Sequence, residues 1–184
     1  GLDIDGEAAG DSSGNVSISS QGNTVAISAV LNDGNGENFG HVRVFDWDGS
    51  YWTQRGLDID GEARLVGGTV SISSDGNTLS IGAAQSFDGS TDVGGSVRVF
   101  AWDGKAWRQR GLSINGPLGL GYSRSFIVSL SSNGATIAIG DLSWEQLITG
   151  VHTSDLYVRI FSLDSDLDGI GSLADTDDDG DGIN

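Results

Sequence analysis

The chain has 184 residues, 30 of them glycine and only one proline, and its 26 acidic and 9 basic residues give a formal net charge of −17 at pH 7. This acidity argues against binding to nucleic acids or to anionic membrane surfaces. The absence of cysteine excludes disulfides, thiolate metal sites and cysteine nucleophiles. Because no run of about 18 apolar residues occurs, no membrane insertion is expected.

The first part of the chain is predicted to form four short strands. Apolar residues alternate with serines in the first, and the second is a nearly continuous run of small apolar residues. Gln21-Gly22-Asn23 between them favours a hairpin turn, since Gly and Asn tolerate positive φ. A Trp-Asp-Gly turn separates the last two strands. The strands are predicted at Val16–Ser20, Thr24–Ala29, His41–Trp47 and Tyr51–Ile59.

These elements then repeat along the chain at a spacing of about 55 residues. Gly1–Glu7 returns as Gly56–Glu62 and, less faithfully, as Gly111–Gly116. The strand blocks return in the same order: Val16–Ser20 as Val70–Ser74 and Val128–Ser132, and Val42–Phe45 as Val97–Phe100 and Val158–Phe161. We therefore divide the chain into units 1–55, 56–110 and 111–163, the third lacking its fourth strand, followed by an acidic segment, 164–184.

The composition of the strands predicts an order within each unit. Strand two is the most apolar and carries no charge, so it is expected innermost. Strand four carries Gln54, Arg55 and Asp58 and is expected outermost. Repeated units of four strands, ordered from an innermost apolar strand to an outermost polar one, predict an all-β fold of propeller-type blades.

A family resemblance rests on Gly22–Ile27, a glycine-rich loop, and Gly40–Gly49. These blocks resemble the FG-GAP-like repeats of bacterial surface proteins, which are distant relatives of the integrin α-subunit propeller. The resemblance covers residues 1–163 and implies a propeller used for adhesion or as a scaffold. The chain departs from the integrin calcium loop, since only Asp33–Asn38 and Asp88–Asp92 stand in its place.

The number of units leaves the assembly open. Propellers close with about 4–8 blades, and this chain supplies three units. Its opening, Gly1–Asp5, matches the end of a fourth strand. The chain is then a fragment of a longer propeller, one of several chains that build a ring, or an open stack with strand exchange between neighbours.

The acidic segment fits a calcium-loop template. Asp164, Asp166 and Asp168 take positions 1, 3 and 5, and Gly169 takes position 6, where the chain must turn sharply. A second loop begins at Asp175, and the overlap resembles thrombospondin type-3 repeats. The alternative is a solvated, disordered acidic tail. The predicted Ca²⁺ ligands are Asp164, Asp166, Asp168, Ile170 (through its carbonyl), Ser172, Asp175, Asp177, Asp179 and Asp181.

The remaining candidate residues do not indicate an enzyme. His41 and His152 have no repeat counterparts and no ligand spacing. The pair Asp58 and Asp60 is expected on the solvent face of an outer strand and recurs along the chain. The repeated tryptophans are expected to pack between blades, whereas Trp144 has no counterpart and is the candidate ligand contact.

Two functions remain from the sequence. The first is an extracellular or cell-surface structural or adhesion module, stabilised by calcium, that assembles with itself into a fibre or ring or binds other surface proteins. The second is a calcium-dependent carbohydrate-binding surface protein, in which Trp144 would stack on a sugar ring.

Overall fold

The computed structural model describes residues 3–61, 68–83, 95–115, 124–143 and 158–163. Within these ranges the fold is all-β, with no helix and three separate antiparallel sheets. It follows that none of these residues belongs to a helix long and apolar enough to cross a membrane. Each sheet takes most of its strands from one repeat unit, but residues 59–60 of the second unit pair in the first sheet and residues 111–115 of the third unit pair in the second sheet.

The first sheet contains five strands. They are β1 Ser13–Ile18, β2 Thr24–Ala29, β3 His41–Trp47, β4 Trp52–Gln54 and β5 Ile59–Asp60. The order is β1-β2-β3-β4, and β5 also pairs with β3. The predicted fourth strand is thus realised as two pieces along one edge of β3. Gly56, at φ +81°, lies in the interruption between them.

The second and third sheets repeat this plan. The second has the order β6-β7-β8-β9, and in the third the described residues give β10-β11-β12. In β9 the interruption becomes a register shift opposite Val97 and Val99. The strands are β6 Thr69–Ile72, β7 Thr78–Ala83, β8 Ser96–Trp102, β9 Trp107–Asn115, β10 Arg124–Leu130, β11 Thr136–Ser143 and β12 Val158–Ser162.

The expected position of strand two was wrong. β2, β7 and β11 each lie between strands one and three, so strand two is central in its sheet, and strand one occupies the edge. A central strand is covered by neighbours on both sides as well as by the adjoining sheet. That double cover explains why β2 and β7 are almost wholly buried, whereas β1 is mostly exposed.

Two apolar clusters join the sheets in series. Val42 and Val44 of β3 belong to a cluster with Leu79 and Ile81 of the second sheet. At the repeat-equivalent positions, Val97 and Val99 of β8 pack with Phe126, Ile137 and Ile139 of the third sheet. Burying an aliphatic side chain of this size stabilises a fold by about 1.5–3 kcal/mol. The same contact between successive sheets is therefore made twice.

Glycines in the first hairpin turn of each unit mark how closely the sheets approach. Gly22, Gly76 and Gly134 all have positive φ, at +69°, +72° and +69°. A Cβ on Gly76 would lie 2.8 Å from Cβ of Thr24 in the preceding unit, and one on Gly134 would lie 2.7 Å from Oγ1 of Thr78. A Cβ on Gly22 would meet no atom within 4 Å.

This difference predicts unequal costs for the same substitution. Gly76→Ala should lower the free energy of unfolding by about 1–3 kcal/mol more than Gly22→Ala, because it adds steric overlap to the strain of positive φ that both variants share. Urea denaturation followed by tryptophan fluorescence measures both. Equal losses would show that the second sheet does not approach Thr24 as described.

Candidate functional site

An arginine clamp links each sheet to the segment before it. In each sheet, the arginine of strand three donates a hydrogen bond to a backbone carbonyl that lies before the first strand of that sheet, and its guanidinium lies over the phenylalanine two residues further on. The bonds are Arg43 to Asp5 at 2.8 Å, Arg98 to Asp60 at 2.9 Å and Arg159 to Asn115 at 3.2 Å. The arginine-to-ring distances are 5.3, 5.2 and 5.6 Å. Arg43 and Arg98 are buried, so these partners offset part of the cost of desolvating a charge.

A second seam connects the first strands of successive units. Ser20 N donates to the carbonyl of Ser74 at 3.1 Å, and Ser74 N donates to that of Ser132 at 2.8 Å. Beside this backbone ladder, Ile72 N donates to Ser17 Oγ at 3.1 Å. Ser17 and Ser20 of the first unit therefore bind the second unit.

The paired tryptophans pack across their own hairpin. The ring centroids of Trp47 and Trp52 are 5.4 Å apart, and those of Trp102 and Trp107 are 5.5 Å apart. The second pair also contacts the preceding unit, because Arg55 lies over both rings and accepts a hydrogen bond from Trp107 Nε1 at 3.0 Å through its carbonyl. The expected packing between units is thus seen at this pair.

Acidic side chains hold the turns between these tryptophans. Hydrogen bonds from the backbone N–H groups of Tyr51 and Ser50 lower the pKa of Asp48. At the equivalent Asp103, the N–H of Ala106, the side chain of Arg108 and the N–H of Lys105 lower the pKa to about 2. Both carboxylates stabilise a hairpin turn, which accounts for their lowered pKa values without a catalytic role.

The two ends of the series expose opposite apolar faces. Val16 and Ile18 on β1 are 64% and 57% exposed, although the equivalent Val128 and Ile72 are only 6% and 7% exposed. We call Val16 and Ile18 the upstream face of the first sheet.

At the other end the opposite face of the third sheet is open. Val158 and Ile160 on β12 are 68% and 60% exposed, and we call them its downstream face. Their equivalents, Val42, Val44, Val97 and Val99, are each 3% exposed or less. The two open faces are therefore the two halves of the contact already formed twice within the chain.

A buried histidine meets two carboxylates at the edge of the first sheet. His41, the first residue of β3, is 1% exposed. Its Nδ1 lies 3.6 Å from Oδ2 of Asp58 and 3.7 Å from Oε2 of Glu7. Asp58 thus turns toward His41 instead of lying with Asp60 on the solvent face, which corrects the expectation for this residue.

Sequence reasoning missed this cluster, although the repeats contain a signal for it. In the second sheet the position of His41 is held by Ser96, and the position of Asp58 is held by Ser113. The imidazole and the carboxylate are replaced together, as expected for two side chains that interact.

A groove of about 520 Å³ lies between the first and second sheets. Asp58, Asp60, Lys105 and Trp107 contribute to its walls. The indole of Trp107 packs against Arg55 and takes part in the contact between units. This groove therefore gives no specific support to sugar stacking.

The sequence-predicted site residues lie outside the described residues. This holds for Trp144 and for the proposed calcium ligands Asp164, Asp166, Asp168, Ile170, Ser172, Asp175, Asp177, Asp179 and Asp181. The calcium loops and the contact at Trp144 stay predictions from the sequence.

Comparison with known proteins gives little further information. No protein-family model and no curated protein matches the chain. Among solved structures, the crystal structure of the tricorn protease is similar with a TM-score of 0.44 and 8% sequence identity, over 85% of this chain and 14% of that one. The chain spans only this small part of the tricorn protease, and so weak a likeness carries no argument about fold or chemistry.

The clamp is testable by removing one guanidinium. Arg98→Met should lower the free energy of unfolding by about 1.5–3 kcal/mol, because a charged, buried hydrogen bond to Asp60 is lost. Arg108→Met, at a side chain 71% exposed, should change it by less than about 0.5 kcal/mol. Urea denaturation of both variants compares them, and similar losses would rule out a special role for the clamp.

Proposed function

We propose that this chain is a non-enzymatic structural or adhesion module whose sheets stack on sheets of another copy. The observation that carries the proposal is the pair of open apolar faces at the ends of the series. The upstream face (Val16, Ile18) and the downstream face (Val158, Ile160) have the apolar chemistry that joins sheets one to two and two to three.

Docking of this kind is head-to-tail. The downstream face of one copy contacts the upstream face of the next, so the contact is heterologous and builds a ring if the rotation closes and a fibre if it does not. Because the four aliphatic side chains are 57–68% exposed, their burial contributes about 4–7 kcal/mol, which is at the low end of the roughly 4–15 kcal/mol cost of association. We therefore expect weak association that is seen only at high protein concentration.

Strand addition provides a further contact in this arrangement. Ile4 and Asp5 repeat Ile59 and Asp60, the residues of β5 that pair with β3. In a docked copy they would lie beside Val158 of β12, in the position that strand four occupies in the first two sheets. Backbone pairing at an open sheet edge adds specificity to apolar contact.

The proposal includes Ca²⁺ binding by the acidic segment and an extracellular or cell-surface location. The spacing of the aspartates in 164–184 supports Ca²⁺ loops that hold this acidic segment in a defined conformation. Calcium-stabilised repeats resembling FG-GAP and thrombospondin type-3 segments support an extracellular or cell-surface location.

Complementary variants test the head-to-tail contact. Val16→Asp with Ile18→Asp removes the upstream face, and Val158→Asp with Ile160→Asp removes the downstream face. Each double variant alone should stay monomeric in sedimentation velocity, because one half of every contact is charged. Their equimolar mixture should form a dimer and nothing larger, since one intact face of each kind remains.

The control for this experiment is a surface change away from both faces. Leu57→Asp with Leu112→Asp alters side chains that are 88% and 78% exposed, and it should associate like the unchanged chain. A mixture that stays monomeric, or association of either double variant alone, would contradict the proposal.

Calcium binding is tested within the acidic segment itself. Asp168→Ala removes a ligand at loop position 5 and should weaken binding of one Ca²⁺ at least about tenfold in calorimetry. Asp178→Ala removes the same charge at a position that supplies no ligand, so its affinity should stay close to that of the unchanged chain. Equal losses would indicate diffuse attraction to an acidic tail in place of a loop.

A further inference from the structure

We infer that Glu7, His41 and Asp58 form a binding site for a divalent transition-metal ion of the Zn²⁺ class. The three side chains each offer one ligand atom, and these atoms lie within 4.8 Å of one another. The site lies at the edge of the first sheet and uses none of the aspartates of 164–184, so it goes beyond the proposed function.

The separations fit a shared ion better than direct hydrogen bonds. His41 Nδ1 is 3.6 Å from Asp58 Oδ2 and 3.7 Å from Glu7 Oε2, whereas N–H···O bonds fall at about 2.7–3.2 Å. Two ligand atoms at about 2.1 Å from one tetrahedral ion lie about 3.4 Å apart. Small side-chain movements therefore bring all three atoms into coordination.

Neighbouring groups orient the two carboxylates toward the imidazole. Gln54 Nε2 donates to Oδ1 of Asp58 at 2.6 Å, which leaves Oδ2 facing His41. Arg43 Nη1 lies 3.7 Å from Oε1 of Glu7, which leaves Oε2 facing the same nitrogen. Outer partners of this kind fix ligand orientation at metal sites and raise affinity.

The burial gradient indicates how the ion would enter. The side chain of His41 is 2% exposed, and those of Glu7 and Asp58 are 42% and 30% exposed. The nitrogen ligand thus comes from the interior and the oxygen ligands from the rim, where water has access to a fourth position. One imidazole with two carboxylates suits Zn²⁺ better than Ca²⁺, which takes six to eight oxygen ligands.

Binding would join three separate segments of the chain. Glu7 precedes β1, His41 begins β3, and Asp58 lies between β4 and β5. An ion held by all three would fasten the segment before β1 to the opposite edge of the sheet. Because Ser96 and Ser113 replace the imidazole and one carboxylate in the second sheet, the site is specific to the first sheet and is not repeated at those positions of the second.

Histidine NMR provides a direct test, because the chain contains only two histidines. The chain is saturated with Ca²⁺ to occupy the acidic segment and is then titrated with Zn²⁺. The Nδ1 resonance of His41 should move to the position of a metal-bound imidazole nitrogen at one equivalent. His152→Gln assigns the signals and should leave this shift unchanged.

Matched variants separate the site from other Zn²⁺ binding. His41→Ser installs the residue found at position 96, where a sheet still forms, and should abolish binding of this Zn²⁺ in calorimetry. Asp58→Asn keeps the shape of the side chain and an acceptor for Gln54, and should weaken binding at least about tenfold. Both variants should keep their Ca²⁺ stoichiometry.

The outcomes are distinct from those of the calcium experiment. Unchanged Zn²⁺ affinity in His41→Ser, or a His41 Nδ1 resonance that Zn²⁺ does not move, overturns the inference. Loss of Zn²⁺ binding in Asp168→Ala but not in His41→Ser overturns it too, because the acidic segment would then be the ligand. A Zn²⁺-induced rise in thermal stability that both site variants lose supports the inference, since a ligand that binds only the folded chain stabilises it.

Discussion

The contact between successive sheets is the constraint on which the rest of this molecule depends. Strand three alternates two kinds of residue, and the period of two along a strand sends them to opposite faces. Val42 and Val44 face the following sheet, while Arg43 binds the segment before β1. One strand therefore supplies the apolar half of one contact and the polar clamp of another.

Sequence reasoning recovered what is local and missed what depends on neighbours. The hairpins and strands follow from turn residues and alternation, so β2 was predicted at its observed bounds, Thr24–Ala29. The place of β2 within the sheet was wrong, because apolar composition reports burial and does not distinguish a central strand from an innermost one. The split between β4 and β5 at Gly56 was missed too, and the equivalent Gly111, which also has positive φ, gives only a register shift in β9.

At the candidate site, too, the sequence did not show which residues come together in space. Asp58 was assigned to the solvent face by strand period, and the interruption at Gly56 breaks that period before Asp58 is reached. His41 lacked a repeat counterpart and was set aside, although an unmatched residue among close repeats is where a unit-specific site is expected. The paired replacement by Ser96 and Ser113 was the available signal.

The few basic residues and the large excess of acidic residues have different roles in this chain. Of the 9 basic residues, Arg55, Arg98 and Arg159 bind a backbone carbonyl of a neighbouring sheet or its turn, and Arg43 binds the segment before β1. Residues 164–184 contain eight aspartates and no basic residue. A net charge of −17 opposes the approach of two copies. Divalent cations bound to acidic side chains would reduce that repulsion, so metal binding and stacking are expected to favour one another.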